Sequence, residues 1–155
     1  LNCFIQDREL AGRCQFHFIL NSLEPDKEEI KEIAAHHPWI VLHENVQRMS
    51  ELMLKSDLAV SAAGSTLYEL SACGVPAITY VLADNQILGA AEFEAQGIMI
   101  NAGDCRKKPD FLAGVCRELK RLAADCGRRK DMAEKGRKAM DAAGAERIVR
   151  ETVIQ

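Results

Sequence analysis

No run of apolar residues in this chain approaches the ~18 that a membrane-spanning helix needs. No stripe of lysine and arginine appears either. The net charge of the 155 residues is only −3, which argues against a nucleic-acid partner. The six cysteines contain no CxxC pair, and no histidine stands at zinc-finger spacing from any of them. They are expected to be free thiols in a reducing, cytoplasmic compartment. His36 and His37 are neighbours before Pro38; adjacent residues at a helix end point in different directions, so no shared metal site is expected there. Neither GxGxxG nor a GxxxxGK phosphate loop is present. There is no internal repeat, linker or low-complexity stretch. Leu1 is followed by Asp7, Arg8 and Glu9, which is not the pattern of a secretory signal. The start therefore reads as an internal cut in a longer product.

What is present is the ordinary balance of a globular chain, 48% hydrophobic and 28% charged. Its length suits one domain with a sizeable core. Short apolar runs at Phe16 to Leu20, Trp39 to Leu42, Leu58 to Ser61, Ala77 to Leu82 and Ile98 to Ile100 show little polar alternation. That suits strands buried on both faces of a parallel sheet. Helical patterns lie between them. One opens at Asp26 and stops at Pro38, and a short one opens at Ser50. Another runs from Ser65 or Thr66 to Gly74, and a fourth from Asn85 or Gln86 to Gly97. After Gly103, Pro109 precedes Phe111, Leu112, Val115, Cys116, Leu119 and Leu122 at helical spacing. Gly127 is expected to interrupt, with two further helices from about Arg129 and Ala145. The basic cluster Arg128, Arg129 and Lys130 reads as a solvated helix end. The alternation predicts a Rossmann-like, doubly wound α/β domain with extra C-terminal helices.

The chemistry concentrates in SDLAVSAAGSTLYELSACGVPAITYVLADNQ, residues Ser56 to Gln86. A strand runs into Ala62, Ala63, Gly64, Ser65 and Thr66, where a helix begins. Small residues let a ligand approach the backbone, and the open N–H groups of the helix start suit a phosphate or diphosphate. The same turn occurs in many α/β proteins that bind nothing there. Glu69 has two readings. With Thr66 it has the spacing of a capping box; alternatively its carboxylate accepts hydrogen bonds from two ribose hydroxyls, as the acidic residue of dinucleotide folds does. Gly74 ends the helix in a left-handed conformation before Pro76. Asn85 and Gln86, after a strand's C-terminal end, either face a ligand or cap the next helix.

The order of these pieces resembles the C-terminal domain of GT-B-fold UDP-sugar enzymes. It is close to the UDP-sugar hydrolase of pseudaminic acid biosynthesis and its spore-coat polysaccharide relatives, and more loosely similar to the peptidoglycan N-acetylglucosaminyl transferase. The segment Ala143 to Val149 resembles that hydrolase family's closing helix. The resemblance implies that Gly64, Ser65 and Thr66 hold a diphosphate and that Glu69 holds the ribose. It places Val46, beside Asn45, at the position that contacts uracil, and makes Asn85 and Gln86 a sugar- or phosphate-facing pair. It implies that residues 1–155 are one UDP-binding C-terminal domain of a longer protein, with its own N-terminal domain and a UDP-sugar as partners and no separate cofactor. The family's first strand and Gly-Gly-Ser/Thr-Asp loop have no counterpart, because Leu1 to Leu10 resembles the helix after them; a homo-oligomer could cover the gap. The family's catalytic base is a histidine of the other half. None of His17, His36, His37 and His43 matches it, and His17 reads as structural within its strand. The resemblance leaves open a hydrolase, a GT-B glycosyltransferase, or a non-catalytic module appended to an acylneuraminate cytidylyltransferase.

Overall fold

In a computed structural model, residues 7–21 and 25–153 are described here. The chain divides into two compact units, Leu1–Met49 and Ser50–Gln155.

In the first unit, α1 (Arg8–Arg13) is capped by Asp7, whose side chain accepts from the Glu9 and Leu10 N–H groups. It covers the end of the segment expected to be helical from Leu1; residues 1–6, Cys3 among them, lie outside the described residues. Strand β1 (Phe16–Leu20) pairs in parallel with β2 (Ile40–Glu44). Between them runs α2 (Lys27–Ala35). Asp26 occupies its N-cap position, yet its side chain makes no capping bond. Lys27 and Lys31 of α2 instead reach Glu44 at the end of β2, at 2.6 and 3.2 Å. These ammonium groups hold the Glu44 carboxyl below its ordinary range. His17 Nδ1 lies 2.7 Å from His43 Nε2, and His17 Nε2 lies 3.0 Å from Gln15 Oε1. All four histidines belong to this unit.

A short helix, α3 (Met49–Met53), lies at the boundary. The second unit then alternates β3 (Ala59–Ala62), α4 (Thr66–Cys73), β4 (Ala77–Val81), a 3₁₀ turn (Asp84–Gln86), α5 (Ile87–Ala95) and β5 (Met99–Asp104). Helices α6 (Phe111–Ala124), α7 (Cys126–Ala139) and α8 (Gly144–Val153) follow. Strands β3, β4 and β5 form a parallel sheet in that order. The central strand is covered on both faces and mostly apolar: Ala77, Ile78, Thr79 and Val81 are buried. Helix α4 buries Leu67, Leu70 and Ser71, and α6 buries Val115, Cys116, Leu119 and Leu122 of the stripe expected from helical spacing, while Leu112 is exposed.

One local expectation needs correction. Gly127 does not break the chain: it sits in the first turn of α7. The break is at Asp125, which ends α6 and caps α7 by accepting from the Arg128 N–H at 2.8 Å. A side-chain cap outweighs the low helix propensity of one glycine. Arg129 of the basic cluster donates to the Leu122 and Ala123 carbonyls at the end of α6, as a cation at a helix C-terminus does. Cys73, Cys105 and Cys126 are free thiols as expected.

Candidate functional site

The register of the three-stranded sheet brings the C-terminal ends of its strands to one edge. Ala62 stands opposite Tyr80, and Val81 opposite Asp104. Three connections leave from that edge: the turn into α4, the turn into α5 and the loop after β5. Crevices at such strand ends are where open α/β sheets bind ligands.

The first connection carries Gly64, Ser65, Thr66 and Glu69. The chain turns tightly, the Gly64 N–H donating to the Ala62 carbonyl at 2.8 Å. Ser65 occupies the N-cap position of α4 in a helical conformation and its side chain makes no capping bond. Thr66 is the first helical residue rather than the cap, so the capping box with Glu69 is not formed. The Ser65 and Thr66 N–H groups have no acceptor among the described residues, as the first donors of a helix do not. The Glu69 carboxylate, exposed and one turn further on, makes no ion pair or hydrogen bond among the described residues. Residues three apart lie on one helix face. The turn therefore presents two open N–H donors and two hydroxyls, with a free carboxylate beside them.

The second connection brings Gln86 to this turn. Its Nε2 lies 4.0 Å from where a Cβ on Gly64 would stand. The Gln86 Oε1 accepts from the Leu82 N–H at 2.8 Å. A backbone N–H needs an acceptor, so this bond fixes which end of the amide faces Gly64: the NH₂, a donor. Asn85 is exposed beside it, without a hydrogen bond among the described residues. Val46, the remaining sequence candidate, belongs to the first unit. It is half-buried in the loop after β2, next to Asn45, whose φ of 52° is left-handed.

A charged group at the same edge escaped the sequence reading. Arg106 Nε and Nη2 grip the two oxygens of Asp104 at 2.9 and 2.8 Å, and Nη2 also reaches Asp84 Oδ1 at 2.7 Å. The guanidinium holds Asp104 far below the usual carboxylate range. Asp84 stands 22 positions before Arg106, so no local spacing announces that contact. A depression of about 560 Å³ beside β5 and α6, lined by Asn101, Lys108, Phe111 and Arg117, contains none of the candidate residues.

No helix among the described residues is long and apolar enough to cross a membrane. Residues 5–148 match the glycosyltransferase family 28 C-terminal domain. The chain is 27% identical over 137 residues to the spore coat polysaccharide biosynthesis protein SpsG of Bacillus subtilis, covering 88% of this chain and 39% of that protein. It is 44% identical over 54 residues to the Helicobacter pylori pseudaminic acid cytidylyltransferase and UDP-2,4-diacetamido-2,4,6-trideoxy-beta-L-altropyranose hydrolase, covering 35% of this chain and 10% of that protein. Among solved structures it resembles WaaG, a glycosyltransferase involved in lipopolysaccharide biosynthesis, with a TM-score of 0.63 and 19% identity over 81% of this chain and 33% of that one. That likeness bears on the fold, a Rossmann-like α/β arrangement of parallel strands and flanking helices. The chain spans well under half the length of each of these relatives.

Proposed function

The chain belongs to the glycosyltransferase family 28 C-terminal domain family, and from that premise we propose that it binds the UDP part of a UDP-sugar at the turn into α4. The observation that carries this reading is the unused chemistry of that turn. The Ser65 and Thr66 N–H groups and hydroxyls have no partners among the described residues, and Glu69 is not spent on capping. A diphosphate satisfies the donors, with Gln86 Nε2 adding to them. The Glu69 carboxylate accepts from the ribose hydroxyls. Asn85 faces the sugar.

In the intact protein the reaction is hydrolysis of the sugar–nucleotide bond of a UDP-2,4-diacetamido-2,4,6-trideoxy-hexose. Water adds to the sugar's anomeric carbon, and UDP departs with the bond's electron pair. The donors at Ser65 and Thr66 offset the charge that develops on the leaving diphosphate. The base that takes the water's proton comes from a histidine outside this chain. The named activity of the Helicobacter relative supports this choice. The family's glycosyltransferase name supports a second reading, in which an acceptor hydroxyl replaces water while this chain's role is unchanged.

Titration by calorimetry tests the site. UDP is expected to bind saturably, ADP far more weakly. Glu69→Ala and 2′-deoxy-UDP should each lose about 1.5–3 kcal/mol, tenfold or more in Kd, the worth of hydrogen bonds to a charged group. Equal affinity for UDP and its 2′-deoxy form would remove Glu69 from the ribose.

A further inference from the structure

The Asp84–Arg106–Asp104 cluster stands at the sheet edge where the strands end, and nothing in the proposed binding chemistry uses it. Its parts are unequal. Asp104 is only 15% exposed and is gripped by two guanidinium nitrogens, while Asp84 is 85% exposed and held by one. The inner pair is the strong, geometrically defined one. An isolated exposed pair such as Arg106–Asp84 is worth little. Here, however, the guanidinium is already fixed by Asp104, so closing on Asp84 costs little further side-chain freedom. Asp84 is the first residue of the 3₁₀ turn whose last residue is Gln86. Among the described residues, only the Leu82 N–H otherwise ties the Gln86 side chain down.

We propose that Arg106 is a positioning residue, which tethers Asp84 to the end of β5 and so holds the turn that aims the Gln86 amide at Gly64. The ligand half of this statement rests on the cradle reading above; the tether half does not. Arg106 does not itself meet the ligand. Its Nη2 is shared by two carboxylates, and an anion placed there would have to displace one of them.

The test uses the whole chain with Arg106→Met, Arg106→Lys and Asp84→Asn. The first readout needs no ligand. Hydrogen exchange of the Leu82 amide, protected by Gln86 Oε1, should quicken about tenfold in Arg106→Met and Asp84→Asn while core amides such as Ile78 stay unchanged. Unchanged exchange at Leu82 overturns the tether. The second readout is UDP affinity. Both variants should weaken it by about fivefold to tenfold, and in a Gln86→Ala background the Arg106→Met effect should vanish, as coupled residues require. Arg106→Lys keeps the charge and loses the fork, so it should resemble Arg106→Met; full recovery would mean that charge alone matters. Tighter UDP binding in Asp84→Asn would show that Arg106 touches the ligand directly and overturn the positioning role. Wild-type chain that binds no UDP but shows the exchange effect would sink the cradle reading and leave the tether standing.

Discussion

Thr79 lies at the centre of β4, fully buried, and its Oγ1 has no hydrogen-bond partner among the described residues. A buried hydroxyl without a partner costs more than the methyl that would replace it. Thr79→Val is therefore expected to leave stability unchanged or raise it by about 1 kcal/mol, read from the midpoint of a urea titration. A clear loss would mean that the hydroxyl is satisfied after all. His17 is a second residue whose behaviour follows from its neighbours. Burial, then the adjacent His43, pushes its imidazole below the ordinary value. The unfolded chain then binds the proton more readily than the folded one, so stability rises with pH across the gap between the two values. His17 should contribute nothing adverse above the ordinary imidazole range and should destabilise the fold as pH falls below it. Thermal midpoints from pH 7.5 to 5 for the wild type and His17→Gln check this: the wild-type midpoint should fall more. Glu69 was legible from sequence only as two readings. The geometry removes the capping reading, because the helix begins one residue earlier than the box requires.

At the scale of elements, β4 was legible because burial on both faces leaves an apolar run with no polar alternation, and α6 because its apolar stripe keeps helical spacing. The ends were less so. Strand β5 runs on to Asp104, past the apolar run that marks its start, since its polar half still pairs with β4. Its outer edge is covered by side chains: the Asn101 N–H donates to Glu94, and Lys108 donates to the Ala102 carbonyl, which blunts an open edge. The packing of α4 on α7 depends on a glycine that sequence alone left unremarked. A Cβ at Gly136 would stand 3.2 Å from the Ser71 carbonyl oxygen and 3.3 Å from Ser71 Cα. Both are backbone atoms and cannot rotate away. Gly136→Ala should therefore cost about 1–3 kcal/mol, the usual penalty of overpacking, seen as a lower denaturation midpoint. An unchanged midpoint would mean that α7 can shift without loss.

For the whole molecule, the strand–helix alternation was enough to read the α/β class, and the SAAGST turn with Glu69 was enough to find most of the candidate site. The Asp84–Arg106–Asp104 cluster was not, because its members meet only once β4 and β5 pair. Val46 came as a base contact from the resemblance alone, and it belongs to the first compact unit. The proposed site seats a uridine diphosphate on the start of α4. Amide chemical shifts of the ¹⁵N-labelled chain, followed as UDP is added, test it most directly. Saturable shifts are expected at Ser65 and Thr66, with the Gln86 side-chain amide moving in step. A folded spectrum that UDP leaves unmoved at Ser65 and Thr66, or that moves instead around Lys108 and Arg117, would contradict it.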